Sequence, residues 1–139
     1  MWHSDFDQRL AAWAKLKETT LTSDIESALT QINTWWFDVP WQPYYLHWDD
    51  VARWPDPWQL LDDNVYCDLA RGLGIVYTIS MLDRSDIKAD LVLTEDNFNL
   101  VQINDNKYVL NIDRDTIVNT KPISSKRKLT QQEIHQRYN

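Results

Sequence analysis

Residues 56–83 read DPWQLLDDNVYCDLARGLGIVYTISMLD, and this stretch decides the fold. Asp56-Pro57 supplies an N-cap and a proline at the first helical position, where the missing N–H costs nothing. From Trp58 to Asp83 apolar residues occupy nearly every face: Leu61, Val65, Leu69, Val76 and Ile79 along one, Tyr66, Ala70, Leu73, Tyr77 and Met81 along another. A helix that is apolar all round must be buried, so the spacing predicts a central helix over 58–83 with everything else packed about it. Gly72 and Gly74 each weaken a helix by ~1 kcal/mol relative to alanine, which points to close packing or a kink. A G-x-G inside a helix, with no strand before it, is not a phosphate loop.

Upstream, Ser4-Asp5-Phe6-Asp7 and Ser23-Asp24-Ile25-Glu26 read as helix starts, and Phe6, Leu10 and Trp13, then Ile25, Ala28, Leu29, Ile32 and Trp36, recur at helical spacing. Helices over 5–18 and 24–36, joined by a short threonine-rich link, make an antiparallel pair. Residues 37–57 carry Pro40, Pro43, Pro55 and Pro57 without a usable period and read as a long aromatic loop. Downstream of Arg84-Ser85-Asp86 the period changes to two, giving strands over 89–94, 98–103 and 107–112, with Asn104-Asp105-Asn106 as a tight turn between the last two. The fold class expected is α+β: a helical hairpin, a long aromatic loop, and a central buried helix on a small antiparallel meander.

A chain of 139 residues has material for one core. Residues 1–120 are expected to form that domain, and 121–139 a basic C-terminal tail with one or two helical turns at 129–133. The net charge of −7 is uneven, because the tail holds Lys121, Lys126, Arg127, Lys128 and Arg137 against Glu133 alone. An acidic body repels phosphates, so nucleic acid is not an expected partner. One cysteine, Cys67, cannot close an internal disulfide, which suits a reducing compartment. No apolar run reaches the ~20 residues a membrane helix needs, and residues 1–5 lack the layout of a signal peptide, so the chain is expected to be made in the cytoplasm with no membrane partner. All eight tryptophans fall within the first 58 residues. Large rings fill cores and anchor interfaces, and both readings stand for this segment.

A buried helix followed by a three-stranded meander resembles the core of transglutaminase-like and papain-like cysteine enzymes. Asp96-Asn97-Phe98-Asn99-Leu100-Val101 and Tyr108-Val109-Leu110-Asn111-Ile112-Asp113 look like the second and third strands of that core. The resemblance implies a nucleophile at the helix start, a histidine opening the second strand and a carboxylate or amide on the third. Here Asp96 or Asn97 stands where the histidine belongs. His3 and His47 precede Cys67, and His135 follows the meander. Neither a carboxylate nor an amide takes and returns a thiol proton near neutral pH as imidazole does. Cys67 reads as a position well inside the helix, and free cysteine is among the most buried residue types, so a packed core thiol is expected rather than a nucleophile.

A narrower resemblance, carried by Trp54-Pro55-Asp56-Pro57-Trp58-Gln59-Leu60-Leu61 and Tyr66-Cys67-Asp68-Leu69-Ala70-Arg71-Gly72-Leu73-Gly74, is to small proteins of tailed bacteriophages. It implies a virion component of tail, baseplate or neck. The paired carboxylates Asp49-Asp50, Asp62-Asp63, Asp83 with Asp86, and Asp113 with Asp115 lack calcium-loop spacing, so no metal or other cofactor is expected. Lys126-Arg127-Lys128 is too short to specify nucleic acid and suits an acidic protein surface.

The function expected from these residues is non-enzymatic. It is a phage virion structural or adaptor protein contacting other virion proteins, or further copies of itself, through Trp35, Trp36, Trp41, Tyr44, Tyr45, Trp48, Lys126, Arg127 and Lys128, with Trp41, Tyr44, Tyr45 and Trp48 exposed. The alternatives are a divergent cysteine hydrolase or acyl-transferase using Cys67, and a small acidic phage protein that binds and regulates a host protein.

Overall fold

In the computed structural model, which describes residues 2–43, 45–118 and 122–138, the 56–83 stretch forms two helices rather than one. α3 (Pro57–Asp63) starts in the capping box expected of Asp56, whose carboxylate accepts from Gln59 N–H while the Gln59 side chain returns to the Asp56 N–H. It ends at Asn64, in the left-handed conformation at φ 55°. The chain then runs extended to Cys67, and α4 (Asp68–Leu82) begins.

The break is stabilised from outside the helix. The Leu61 carbonyl accepts from the buried Arg9 guanidinium at 2.9 Å, the Leu60 carbonyl accepts from Tyr66 Oη at 2.9 Å, and the Asn64 side chain accepts from Trp2 Nε1 at 2.6 Å. Two carbonyls that a continuous helix would have bonded internally are satisfied by side chains, one from Arg9 and one from nearby Tyr66, and Trp2 holds the Asn64 side chain at the break.

The helical hairpin follows the apolar spacing. α1 (Phe6–Leu21) is capped by Asp5 and α2 (Ile25–Trp36) by Asp24, each one residue after the serine that opens the motif. Both pack on α4, and a single hydroxyl joins all three: Thr78 Oγ1 accepts from Trp13 Nε1 at 2.9 Å and from Trp36 Nε1 at 3.0 Å, and donates to the Gly74 carbonyl. Gly74 is required by the approach of Trp36, because a Cβ there would lie 2.4 Å from the indole ring. The glycines therefore serve close packing.

The sheet covers the opposite side of α4. Its order is β3-β2-β1-β4, antiparallel throughout, with β1 (Ala89–Thr94), β2 (Asn99–Ile103), β3 (Tyr108–Leu110) and β4 (Ser125–Leu129). Leu91 pairs with Val101 on one side and with Leu129 on the other. The β2–β3 turn places Asn104, Asp105 and Asn106 at φ 51°, 58° and 86°, the left-handed region that Asn and Asp tolerate. The first three strands match the expected meander. β4, inside the stretch expected as a basic tail, is a fourth strand that the period-two pattern did not reveal. It lies at an edge with Ser125–Lys128 exposed, so its faces do not alternate in polarity, and its lysines suit an edge. α5 (Gln131–His135) follows, buries Ile134 and packs on α4, where Tyr138 Oη meets Ser80 Oγ at 2.7 Å. Among the described residues no helix is long and apolar enough to cross a membrane.

Candidate functional site

The split of the central helix corrects the placement of Cys67. It is not inside a helix but at its start: Cys67 is the N-cap residue of α4, extended at φ −99° and ψ −179°. The Cys67 side chain makes no capping hydrogen bond, so among the described residues no side-chain oxygen takes up the first-turn N–H groups of α4. The thiol sits beneath the aromatic loop and is only 6% exposed. Sγ accepts from the Leu46 N–H at 3.4 Å. It lines a cavity of about 370 Å³ together with Trp41, His47, Trp48, Asn97 and Asn99.

His47 reaches this cavity from the loop. It opens a 3-10 helix (Trp48–Arg53), and its own carbonyl accepts from Trp54 Nε1 at 2.8 Å and from the Asp50 N–H at 3.1 Å. The neighbouring Trp48 is buried, stacks edge-on against Trp54 at 5.4 Å and donates from Nε1 to Asn99 Oδ1 at 2.7 Å. Two tryptophans thus fix the backbone that carries the imidazole. The imidazole itself makes no hydrogen bond among the described residues and also lines the adjoining cavity, beside Tyr45, Asp62 and Asp63. There the Tyr45 hydroxyl bonds the Asp63 carboxylate. Burial, then that hydrogen bond and the Asp63 charge, push the Tyr45 phenol well above its ordinary range, so it stays a neutral donor.

The strands close the other wall. Asn111 directly follows β3, is buried, and adopts φ 72°. Its Nδ2 donates to the carbonyls of Asp68 at 2.9 Å and Asn99 at 2.7 Å, its Oδ1 accepts from Arg71 Nε at 2.6 Å, and its N–H donates to Asn33 Oδ1 at 3.0 Å. One amide therefore ties the first residue of α4 to the first of β2. Arg71 lies on the Phe37 ring at 3.8 Å and pairs with Asp68 at 3.2 Å.

Of the residues singled out from sequence, Trp41 is exposed, at 57%. Trp36 and Trp48 are buried with their indole N–H groups satisfied internally, so the exposure expected of Trp48 is not found. Trp35 and Tyr45 are partly buried, and Tyr44 lies outside the described residues. Lys126, Arg127 and Lys128 lie on β4, where Arg127 meets Asp49 at 3.0 Å and Lys128 meets the buried Asp90 at 3.4 Å. His135 is hydrogen-bonded to Ser80 and Tyr138, and Ser80 is about 20 Å along α4 from Cys67 at 1.5 Å per residue. Sequence reasoning missed Asn99, Asn111, Arg71 and Trp54. Asn111 had a readable signal, standing where the resemblance puts an amide on the third strand. Among the described residues no group of three or more His, Cys, Asp or Glu could hold a metal ion.

No protein-family model matches the chain, and no curated protein sequence matches it. Its structure is similar to that of LapG from Legionella pneumophila, a cysteine protease of transglutaminase-like fold, with a TM-score of 0.64 over 90% of this chain and 82% of that one, at 11% identity. This corrects the non-enzymatic reading, and with it the phage virion role. The structural neighbour is an enzyme, the comparisons hold nothing that supports a virion part, and Cys67 stands at a helix start rather than well inside a helix, although no histidine opens the second strand. At this identity the likeness carries the fold and no activity: the chain has an α+β fold similar to that of LapG.

Proposed function

We propose that the chain is a divergent cysteine hydrolase or acyl-transferase with Cys67 as nucleophile and His47 as proton carrier. The observation that carries this is that a helix-start thiol and an imidazole with no hydrogen bond among the described residues line one cavity. In the reaction, the Cys67 thiol gives its proton to His47 and the thiolate attacks an acyl carbonyl carbon, forming a C–S bond. The oxyanion that develops faces the uncapped first turn of α4, whose N–H groups and dipole favour negative charge. Collapse expels the leaving group, which takes the proton back from the imidazolium. Water, or another nucleophile for acyl transfer, then loses a proton to His47, attacks the thioester carbonyl, breaks the C–S bond and leaves the thiol reprotonated.

The arrangement departs from the resemblance in the source of its base. The imidazole comes from the loop before the helix, while Asn99 at the start of the second strand and Asn97 in the turn before it line the cavity with the thiol. The test is p-nitrophenyl acetate with the folded protein, read by release of nitrophenol and by the mass of one acetyl group on the peptide containing Cys67. Acetylation is expected in the native chain, absent in Cys67→Ala, and slowed at least a hundredfold in His47→Asn, in line with general-base catalysis of about 10²–10⁴. Acetylation seen only after unfolding, or at an unchanged rate in His47→Asn, would end this assignment.

A further inference from the structure

Residues 134–138 grip the loop that carries His47. Ile134 is fully buried, and Tyr138 Oη meets Ser80 Oγ at 2.7 Å while its ring stands edge-on to Tyr77 at 5.5 Å. Between these two anchors Arg137 reaches the far end of the 3-10 helix. Its Nη2 donates to the Trp54 carbonyl at 2.9 Å, its Nε donates to Tyr77 Oη at 3.4 Å, and its guanidinium lies 5.6 Å from the Trp54 ring. Tyr77 Oη in turn donates to the Pro55 carbonyl at 2.7 Å. The backbone at 54–55 is thus bonded to α4 and to the C-terminal segment, and the Trp54 ring passes that hold on, because its Nε1 donates to the His47 carbonyl at 2.8 Å. A second contact, Arg127 with Asp49 at 3.0 Å, joins β4 to the same 3-10 helix, but with the Asp49 side chain 97% exposed such a pair contributes little. Arg137 is partly buried and its bond to the Trp54 carbonyl is charge-assisted, so the stronger hold is at this end.

We propose that Arg137 is a positioning residue: through Trp54 it fixes the backbone of His47 at the cavity that the imidazole shares with Cys67, so that the C-terminal segment completes the site. This rests on the reading of His47 as proton carrier. A reacting group misplaced by about 1 Å can cost about 10²-fold in rate. Without the guanidinium, Tyr77 still bonds Pro55 and Trp48 still bonds Asn99, so a smaller effect, about tenfold, is expected.

The test measures acetylation of Cys67 by p-nitrophenyl acetate in the full chain, comparing the native protein with Arg137→Gln, Arg137→Lys, His47→Asn and the double variant Arg137→Gln/His47→Asn, each shown to be folded by circular dichroism. Arg137→Gln is expected to be about tenfold slower than the native chain, and Arg137→Lys, which keeps the charge without the fork, between the two. The double variant is expected to be no slower than His47→Asn, because a residue that acts only through the imidazole has nothing left to act through. Without substrate, the His47 ring resonance is expected to move in Arg137→Gln while that of His3 stays. A tenfold slowing that persists in the His47→Asn background would make Arg137 a support of the fold alone and overturn the proposal. An unchanged rate or an unmoved His47 resonance in Arg137→Gln, with His47→Asn still slowed, would overturn it too, while leaving the Cys67–His47 assignment standing. If Arg137→Gln does not fold, Arg137→Lys is read in both backgrounds against the same outcomes. No acetylation of the native chain at Cys67 would remove that assignment, and the positioning role with it.

Discussion

Thr78→Val should be the most damaging isosteric change in the core. Trp13 and Trp36 are each 1% exposed, and Thr78 Oγ1 is the acceptor of both indole N–H groups. Valine fills the same volume but accepts nothing, so two buried donors lose their partner at once. Leaving a buried polar group unsatisfied costs about 1–3 kcal/mol, and two of them give a loss of about 4 kcal/mol. Against a total stability of about 5–15 kcal/mol that is a large share. With a urea m-value of about 2 kcal/mol/M, the unfolding midpoint should fall by about 2 M. Thr78→Ser is the control: it keeps the hydroxyl and loses one methyl, about 1 kcal/mol, so its midpoint should fall by about 0.5 M. Urea titrations followed by tryptophan fluorescence read both. If valine and serine shift the midpoint equally, the two indole hydrogen bonds contribute nothing and the account of how α1 and α2 are fixed to α4 is wrong.

Gly74→Ala gains helix propensity of ~1 kcal/mol but forces a Cβ to 2.4 Å from the held Trp36 ring; overpacking of about 1–3 kcal/mol should win and lower the melting temperature by several degrees, whereas a rise would contradict the packing. Asn111→Gly accepts φ 72° without strain but strips the amide from Arg71, Asp68 and Asn99, so it should still destabilise by about 2–3 kcal/mol in denaturant; stability equal to the native chain's would show that the residue serves only the backbone turn. Hydrogen bonds from the Thr116 hydroxyl and then the Asp115 N–H hold the Asp113 carboxyl below the usual carboxylate range. Its stabilisation is therefore full above the unfolded pKa of about 3.9 and is lost as pH falls through the lower folded value. Carbon NMR should find its midpoint below 3.9 and find it raised in Thr116→Val; an unmoved midpoint would discharge the hydroxyl from that role.

The parts legible in the sequence were those set by a local rule. Apolar spacing gave α1 and α2, Asp56-Pro57 gave the start of α3, alternation gave β1 to β3, and the Asn-Asp-Asn run gave the turn between β2 and β3. The parts that were not legible are decided by distant residues. Trp2 and Arg9 bond to the break at Asn64 from 62 and 52 residues away, and neither marks it locally. Apolar residues on both sides of Asp62-Asp63-Asn64 fit one continuous helical pattern over 58–83, which conceals two helices, and with them the position of Cys67. β4 was hidden for a different reason: an edge strand facing solvent with Lys126, Arg127 and Lys128 has no apolar alternation to read.

The same distinction bears on the tryptophans. Composition left open whether the rings fill a core or await a partner, and the structure divides them by position. Trp13 and Trp36 anchor the hairpin through Thr78, while Trp48 and Trp54 grip the backbone on either side of the 3-10 helix that begins after His47. A loop rich in proline has few ladder or helix hydrogen bonds to fix it, so large rings buried at its ends supply the rigidity that a strand would give a histidine in the resembling enzymes. An imidazole taken from such a loop lines the same cavity as the helix-start thiol without occupying the second strand, and that strand carries asparagine at its start. Under the proposed assignment of His47 as proton carrier, the absence of a strand histidine and the surplus of loop tryptophan become one feature of the sequence: the base lies on the loop, and Trp48 and Trp54 hold the backbone there.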